Sequence, residues 1–210
     1  MRPSKHVLPI LSRALLQCES ALIGHDRPPA HEVISRSGWH PDPRSAYCRR
    51  CGSSVDWSCR GCSCVAGTLA NRHGTIVRLS RYDEPMSIWI RELKYRSWRP
   101  MAEALGMKLG DAIRQCHHFD HATRPLLVPV PMPFTRRFVR GMDHAAMISA
   151  GVSKTTGFKV FQPLKQKSGV VQSGATCAQR SRKPDPFAVS WKGRACSRFL
   201  RGRPVVLIDD

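Results

Sequence analysis

The sequence predicts an α/β domain with a mostly parallel sheet, and three observations carry that prediction. Two compact apolar runs, at 126–130 and 205–208, have the length of buried strands. Helix-patterned segments stand between them, at 88–95, 101–116 and 144–150. Strands alternating with helices place a parallel sheet at the centre with helices packed on it. The chain of 210 residues allows one ordinary domain and a small appendage. At 41% hydrophobic it can build a core, while 16 Pro and 15 Gly call for many turns.

In chain order, 4–22 reads as a weak helix and 24–44, rich in Pro, His, Gly and Ser, as a linker. A cysteine cluster follows, ending near Gly67, and 75–79 suits a short strand. Met101, Leu105 and Leu109 recur four apart and bury one stripe of the helix at 101–116. The strand at 126–130 is stopped by Pro129 and Pro131, and 158–161 is a further candidate strand. The polar, basic stretch 165–186 reads as a mobile loop. The last strand, 205–208, runs into Asp209 and Asp210. The expected organisation is a helix and linker over 1–44, a cysteine module over 45–70 and the main domain over 75–210.

Charge narrows the partners. Thirty-four Lys and Arg against 15 Asp and Glu leave a net charge of +19, which attracts nucleic acid, anionic lipid or a phosphorylated small molecule. No apolar run approaches the ~20 residues that cross a bilayer. The apolar run at 7–11 contains Pro9 and is broken by Arg13, which suits an amphipathic helix rather than a secretion signal. A reducing cytoplasm is the expected compartment.

Cys48, Cys51, Cys59 and Cys62 form two Cys-x-x-Cys pairs with seven residues between them. Each pair sets two thiolates on one side of a tight turn, and two pairs give the four sulfurs of a closed, structural Zn²⁺ site. Arg49, Arg50 and Arg60 offset the thiolate charge. Cys64 can replace Cys62 as the fourth ligand, and reduced structural cysteines or a redox pair are the competing reading.

Asp209 and Asp210 emerge from the carboxyl end of a buried-type strand, where ligands of open α/β sheets bind. Two adjacent carboxylates can accept hydrogen bonds from neighbouring sugar hydroxyls, directly or through a metal. The competing reading is a polar turn. Val128-Pro129-Val130-Pro131 leads to Arg136, Arg137, Arg140 and Gly141. Arg suits bidentate phosphate contact, and Arg136 and Arg140 share a face if the segment is helical. A solvated basic loop is the alternative.

Taken in order, these motifs resemble the ComF family of competence-related proteins, which join a zinc ribbon to a type I phosphoribosyltransferase domain. The resemblance runs from Cys48 to Asp210 through Leu93-Lys94-Tyr95, Pro129-Val130-Pro131, Arg140-Gly141, Gln172, Arg180 and the terminal strand. It implies a type I phosphoribosyltransferase-like fold that binds phosphoribosyl pyrophosphate and passes its ribose phosphate to a nitrogen nucleophile. Asp209 and Asp210 would hold the ribose hydroxyls and act at the catalytic centre. Arg136 and Arg140 would face the pyrophosphate, which Mg²⁺ would bridge. The sequence departs from the family where Met142-Asp143-His144 replace Phe-Asn-Gln, and near Lys183, where the family has Asn. The family follows the two acids with a Thr-Gly-rich phosphate loop. This sequence stops before it, so a C-terminally truncated domain with impaired catalysis is expected. The alternative expectation is a non-catalytic zinc module in DNA uptake that contacts single-stranded DNA or a competence helicase.

Overall fold

The computed structural model describes residues 27–55, 74–116, 124–167 and 187–210. The chain divides into two units, Met1–Gly38 and Trp39–Asp210. In the first, helix α1 covers Ala30–Arg36. The linker expected over 24–44 is therefore interrupted by a helical turn pair. Its signal is local: Ala30 and Ile34, four apart, are buried, and Glu32 pairs with Arg36 at 3.1 Å. The helix expected at 4–22 lies outside the described residues.

The second unit opens with a 3₁₀ turn, Arg44–Ala46, and a tight hairpin in which Tyr47 bridges Ser54. Gly52 takes φ +75°, and its amide donates to the Cys48 carbonyl at 2.8 Å. Arg78 fastens this hairpin. Its guanidinium donates to Asp42 and to the Gly52 carbonyl, each at 2.6 Å, and lies over the Tyr47 ring. The strand expected at 75–79 does not form. Single bonds hold that extended segment, from Ile76 N to Arg49 O and from Asp42 N to Leu79 O, and they do not make a ladder.

Helix α2, Met86–Arg96, buries Met86, Trp89, Ile90 and Leu93, the spacing of one helix face. Trp39 meets Trp89 edge-on, with ring centroids 5.5 Å apart. Helix α3, Arg99–Arg114, buries Met101 and Leu105 as expected, but Leu109 is only half-buried. The buried face runs instead through Ala102, Gly106, Gly110 and Ile113.

Strand β1, Leu126–Pro129, is followed by helix α4, Phe134–Arg140, and helix α5, His144–Thr156. Helix α5 outruns the expected 144–150 and ends at Gly157, φ +74°, a left-handed cap only glycine adopts cheaply. Where α3 meets α5, the backbones touch through glycine. A Cβ on Gly106 would stand 3.0 Å from Gly151 Cα and strike the Ile148 carbonyl.

Strands β2, Leu164–Gln166, and β3, Phe187–Val189, pair antiparallel, so the stretch expected as a loop from 165 begins as a strand. Outward-facing Lys165 masked it, because pairing tolerates polar residues on the solvent side. Residues 168–186 lie outside the described set. Short helices α6, Trp191–Ala195, and α7, Ser197–Leu200, lead to β4, Val205–Ile208.

The result is a mixed α/β structure. β4 pairs parallel with β1, in register Leu126↔Val205 through Pro129↔Ile208, and Val160 makes a parallel bridge to Leu127 on the other side of β1. β1 is thus central, and α5 packs on both β1 and β4. Among the described residues no helix is long and apolar enough to cross a membrane.

Candidate functional site

Because β1 and β4 are parallel, their carboxyl ends share one edge, where the Val130 amide donates to the Ile208 carbonyl at 2.8 Å. Three further pieces converge there. Asp209 and Asp210 leave β4, His144 opens α5, and Lys94 and Tyr95 come from the last turns of α2.

Asp210 is the hub. Its carboxylate pairs with Lys94 Nζ at 3.2 Å and faces His144 Nδ1 at 3.7 Å, too far for a hydrogen bond. The His144 side chain is 1% exposed, and both ring nitrogens are buried without a hydrogen-bond partner. Burial pushes the His144 pKa below its ordinary 6.5. The Asp210 charge opposes that shift, while Arg140 and Lys94 add to it. The imidazole is therefore neutral near pH 7. The Asp209 residue is exposed, yet partial desolvation of its carboxyl raises its pKa above the ordinary value. The Asp210 amide pulls it back, the Asp210 charge raises it again, and Lys94 lowers it.

The turn after α2 clamps the turn after α4. Ser97, at φ 51°, donates through its hydroxyl to the Arg140 carbonyl, and Arg99 donates to the Gly141 carbonyl at 3.3 Å. Gly141 takes φ +68°, and a Cβ there would stand 3.1 Å from Ser97 Oγ. This clamp holds Arg140 over the Tyr95 ring at 5.7 Å. Asp143 then caps α5 by accepting from the Ala146 amide at 3.1 Å, which aims His144 inward.

Of the residues expected from sequence, Asp209, Asp210 and Arg140 are gathered at this edge. Arg140 and Asp210 both act electrostatically on His144, in opposite directions. Arg136 sits one turn earlier on α4 and is half-buried. Sequence reasoning quoted Lys94 and His144 without assigning them a role. The available signal was His144 itself, an ionisable group standing where the resembled family has Gln.

The arrangement presents two adjacent acids able to accept from sugar hydroxyls, Asp210 already held by Lys94, and Arg140 able to meet an anion. Of the expected zinc ligands, Cys48 and Cys51 are described and Cys59 and Cys62 are not, nor is the alternative Cys64. The Arg50 amide donates to Cys48 Sγ at 3.4 Å within the turn that carries Cys51. Among the described residues no group of three or more His, Cys, Asp or Glu can share a metal ion. Gln172, Arg180 and Lys183 lie outside the described residues.

No family model matches the chain, and neither a curated protein nor a solved structure matches it.

Proposed function

We propose that this chain is a phosphoribosyltransferase-like protein of the ComF type that binds phosphoribosyl pyrophosphate, or a related phosphosugar, at the shared edge of β1 and β4. One observation carries the reading. The segment leaving β1 returns Arg140 and His144 to the acid that leaves β4. A parallel pair whose tips bear acids on one side and an arginine turn on the other suits a sugar diol next to a phosphate group.

In this reading Asp209 and Asp210 accept from the ribose hydroxyls, and Arg140 and Arg136 face the pyrophosphate. Lys94 holds Asp210 in place. Mg²⁺ brought with the ligand would supply charge neutralisation at the pyrophosphate, beside Asp209 and Asp210. Transfer of a ribose phosphate passes through a cationic anomeric carbon, so positioning and a nearby carboxylate matter more than a strong base. The finer fold assignment, a type I phosphoribosyltransferase-like sheet with a zinc ribbon on Cys48, Cys51, Cys59 and Cys62, belongs to the same proposal. So does a cytoplasmic setting, where thiolates stay reduced. Phosphoribosyl pyrophosphate with Mg²⁺ should raise the melting temperature, by the equivalent of ~2.7 kcal/mol at a hundredfold excess over Kd. No shift at millimolar ligand overturns the reading.

A second reading, a DNA- or helicase-contacting module in DNA uptake, has its own support. Trp191 is 70% exposed with Lys192 over its ring, and Phe199 is 53% exposed with the Arg203 guanidinium 4.1 Å from its ring centroid. Exposed rings beside cations suit stacking on single-stranded bases. This reading predicts single-stranded DNA binding that falls steeply with salt and weakens in Trp191→Ala.

A further inference from the structure

Away from the strand tips, a cleft of about 340 Å³ opens between residues 41–47 and the C-terminal half of α3. Its helical wall is Lys108, Asp111, Ala112 and Gln115, one face at i, i+3, i+4 and i+7. The opposite wall is stiffened by Pro41 and Pro43 and tied down where the Asp42 amide donates to Leu79 O at 2.7 Å.

Arg44 opens the 3₁₀ turn in that wall, and both of its terminal nitrogens are buried without a hydrogen-bond partner. The residue as a whole is part-exposed, but leaving the buried head of its side chain without a partner is unfavourable. The neighbouring acid does not answer it, because the Asp42 carboxylate is taken by Arg78 at 2.6 Å. Arg78 sits a short distance away and differs in that both of its terminal nitrogens are bonded, to Asp42, the Gly52 carbonyl and Ser54 Oγ, although its Nε is also buried without a partner. Among the described residues, neither Lys108 nor Asp111 has an ion pair.

We propose that this cleft binds a small organic anion through a carboxylate or phosphate group, met by the exposed Lys108 and by Arg44 once its buried, unpartnered guanidinium turns into the cleft. The volume suits a small metabolite. Asp111 and Gln115 on the same wall favour a ligand with a hydroxyl or amino group beside its anionic end, and Asp111 repels a bare polyanion. The site is separate from the strand-tip acids and does not depend on their reading.

The test titrates the full chain with inorganic phosphate and with glycolate, a hydroxy-carboxylate, against chloride at constant ionic strength. At least one probe should raise the melting temperature saturably beyond chloride. Arg44→Gln should weaken that probe at least tenfold and Lys108→Gln about threefold, while Asp210→Asn leaves it unchanged within twofold. A response to phosphate alone assigns a phosphate group, and a response to glycolate alone assigns a carboxylate. If Arg44→Gln does not fold, Lys108→Gln and the shift of the Arg44 side-chain nitrogen resonances in the wild-type chain decide. No response beyond chloride overturns the proposal. So does undiminished binding by a folded Arg44→Gln, or loss of binding in Asp210→Asn.

Discussion

Helix α5 takes part in two regions built on opposite terms. Along its length it meets α3 with no side chain between the backbones at Gly106 and Gly151, and the fit leaves nothing over. At its first residue it carries His144, a buried imidazole with neither nitrogen bonded, against an acid and two cations. The seam spends its close packing on fixing one helix. The strand tip then inherits a polar group held where it is not satisfied, which is the usual condition of a site awaiting a ligand. Rigid support in one place permits an unsatisfied arrangement in the other.

The largest expected effect breaks the seam. Gly106→Val puts a side chain onto the Ile148 carbonyl and Gly151 Cα, which are backbone and cannot turn aside. We expect a loss of about 3 kcal/mol, at the upper end of ordinary overpacking, in urea denaturation. A loss below 1 kcal/mol would show that the helices separate easily.

Next comes the tip. Asp210→Asn keeps the shape and removes the charge that pairs with Lys94 at 3.2 Å. It should weaken phosphosugar binding by about 2 kcal/mol, roughly thirtyfold, as expected for a charged acceptor. Titration calorimetry reads this, and equal affinity would move the ligand elsewhere.

A third prediction concerns acid. The folded pKa of His144 lies below 6.5, so its contribution to stability is fully present above pH 6.5 and is lost as pH falls toward the folded value. His144→Gln should flatten the decline in stability below pH 6.5 by up to one proton. Asp209 acts in the other direction and in another window. Its folded pKa lies above 3.8, so its contribution is present below that pH and lost as pH rises through the folded value. An unchanged slope below pH 6.5 in His144→Gln would contradict the buried, neutral imidazole.

The smallest effect returns to the seam. Lys154 pairs with Glu103 across α3 and α5, with the lysine side chain 58% exposed. Solvent and salt screen such a pair, so Lys154→Ala should cost about 0.5 kcal/mol, and less in high salt. A cost rivalling that of Gly106→Val would mean that charge, not close backbone packing, fixes α5.

How much of this was legible depended on whether a residue's role was local. β4 and the core of β1 are continuous apolar runs and were found within a residue, although β4, read as a buried-type strand, exposes Val205 and Leu207; of the stripe expected in α3, Met101 and Leu105 are buried and Leu109 is not. Helix α1 hid in a segment coloured by Pro and His, and α4 is a short run of Phe, Thr, Arg and Val behind Pro133. The pairing of Lys165 with Ala188 joins segments far apart in sequence and left no local pattern. At the site, Asp209 and Asp210 could be placed because strand polarity alone puts them at an edge. Lys94 and His144 acquire their roles only when α2 and α5 arrive beside Asp210, a tertiary fact with no periodicity to announce it. The same holds for Arg44, whose missing partner is visible only once α3 closes the cleft.

The most direct test titrates phosphoribosyl pyrophosphate with Mg²⁺ into the wild-type chain, the Asp209→Asn/Asp210→Asn double variant and Arg44→Gln, followed by calorimetry. The account predicts saturable binding to the wild type and to Arg44→Gln, and none to the double variant. Heat indistinguishable between wild type and a folded double variant would contradict it.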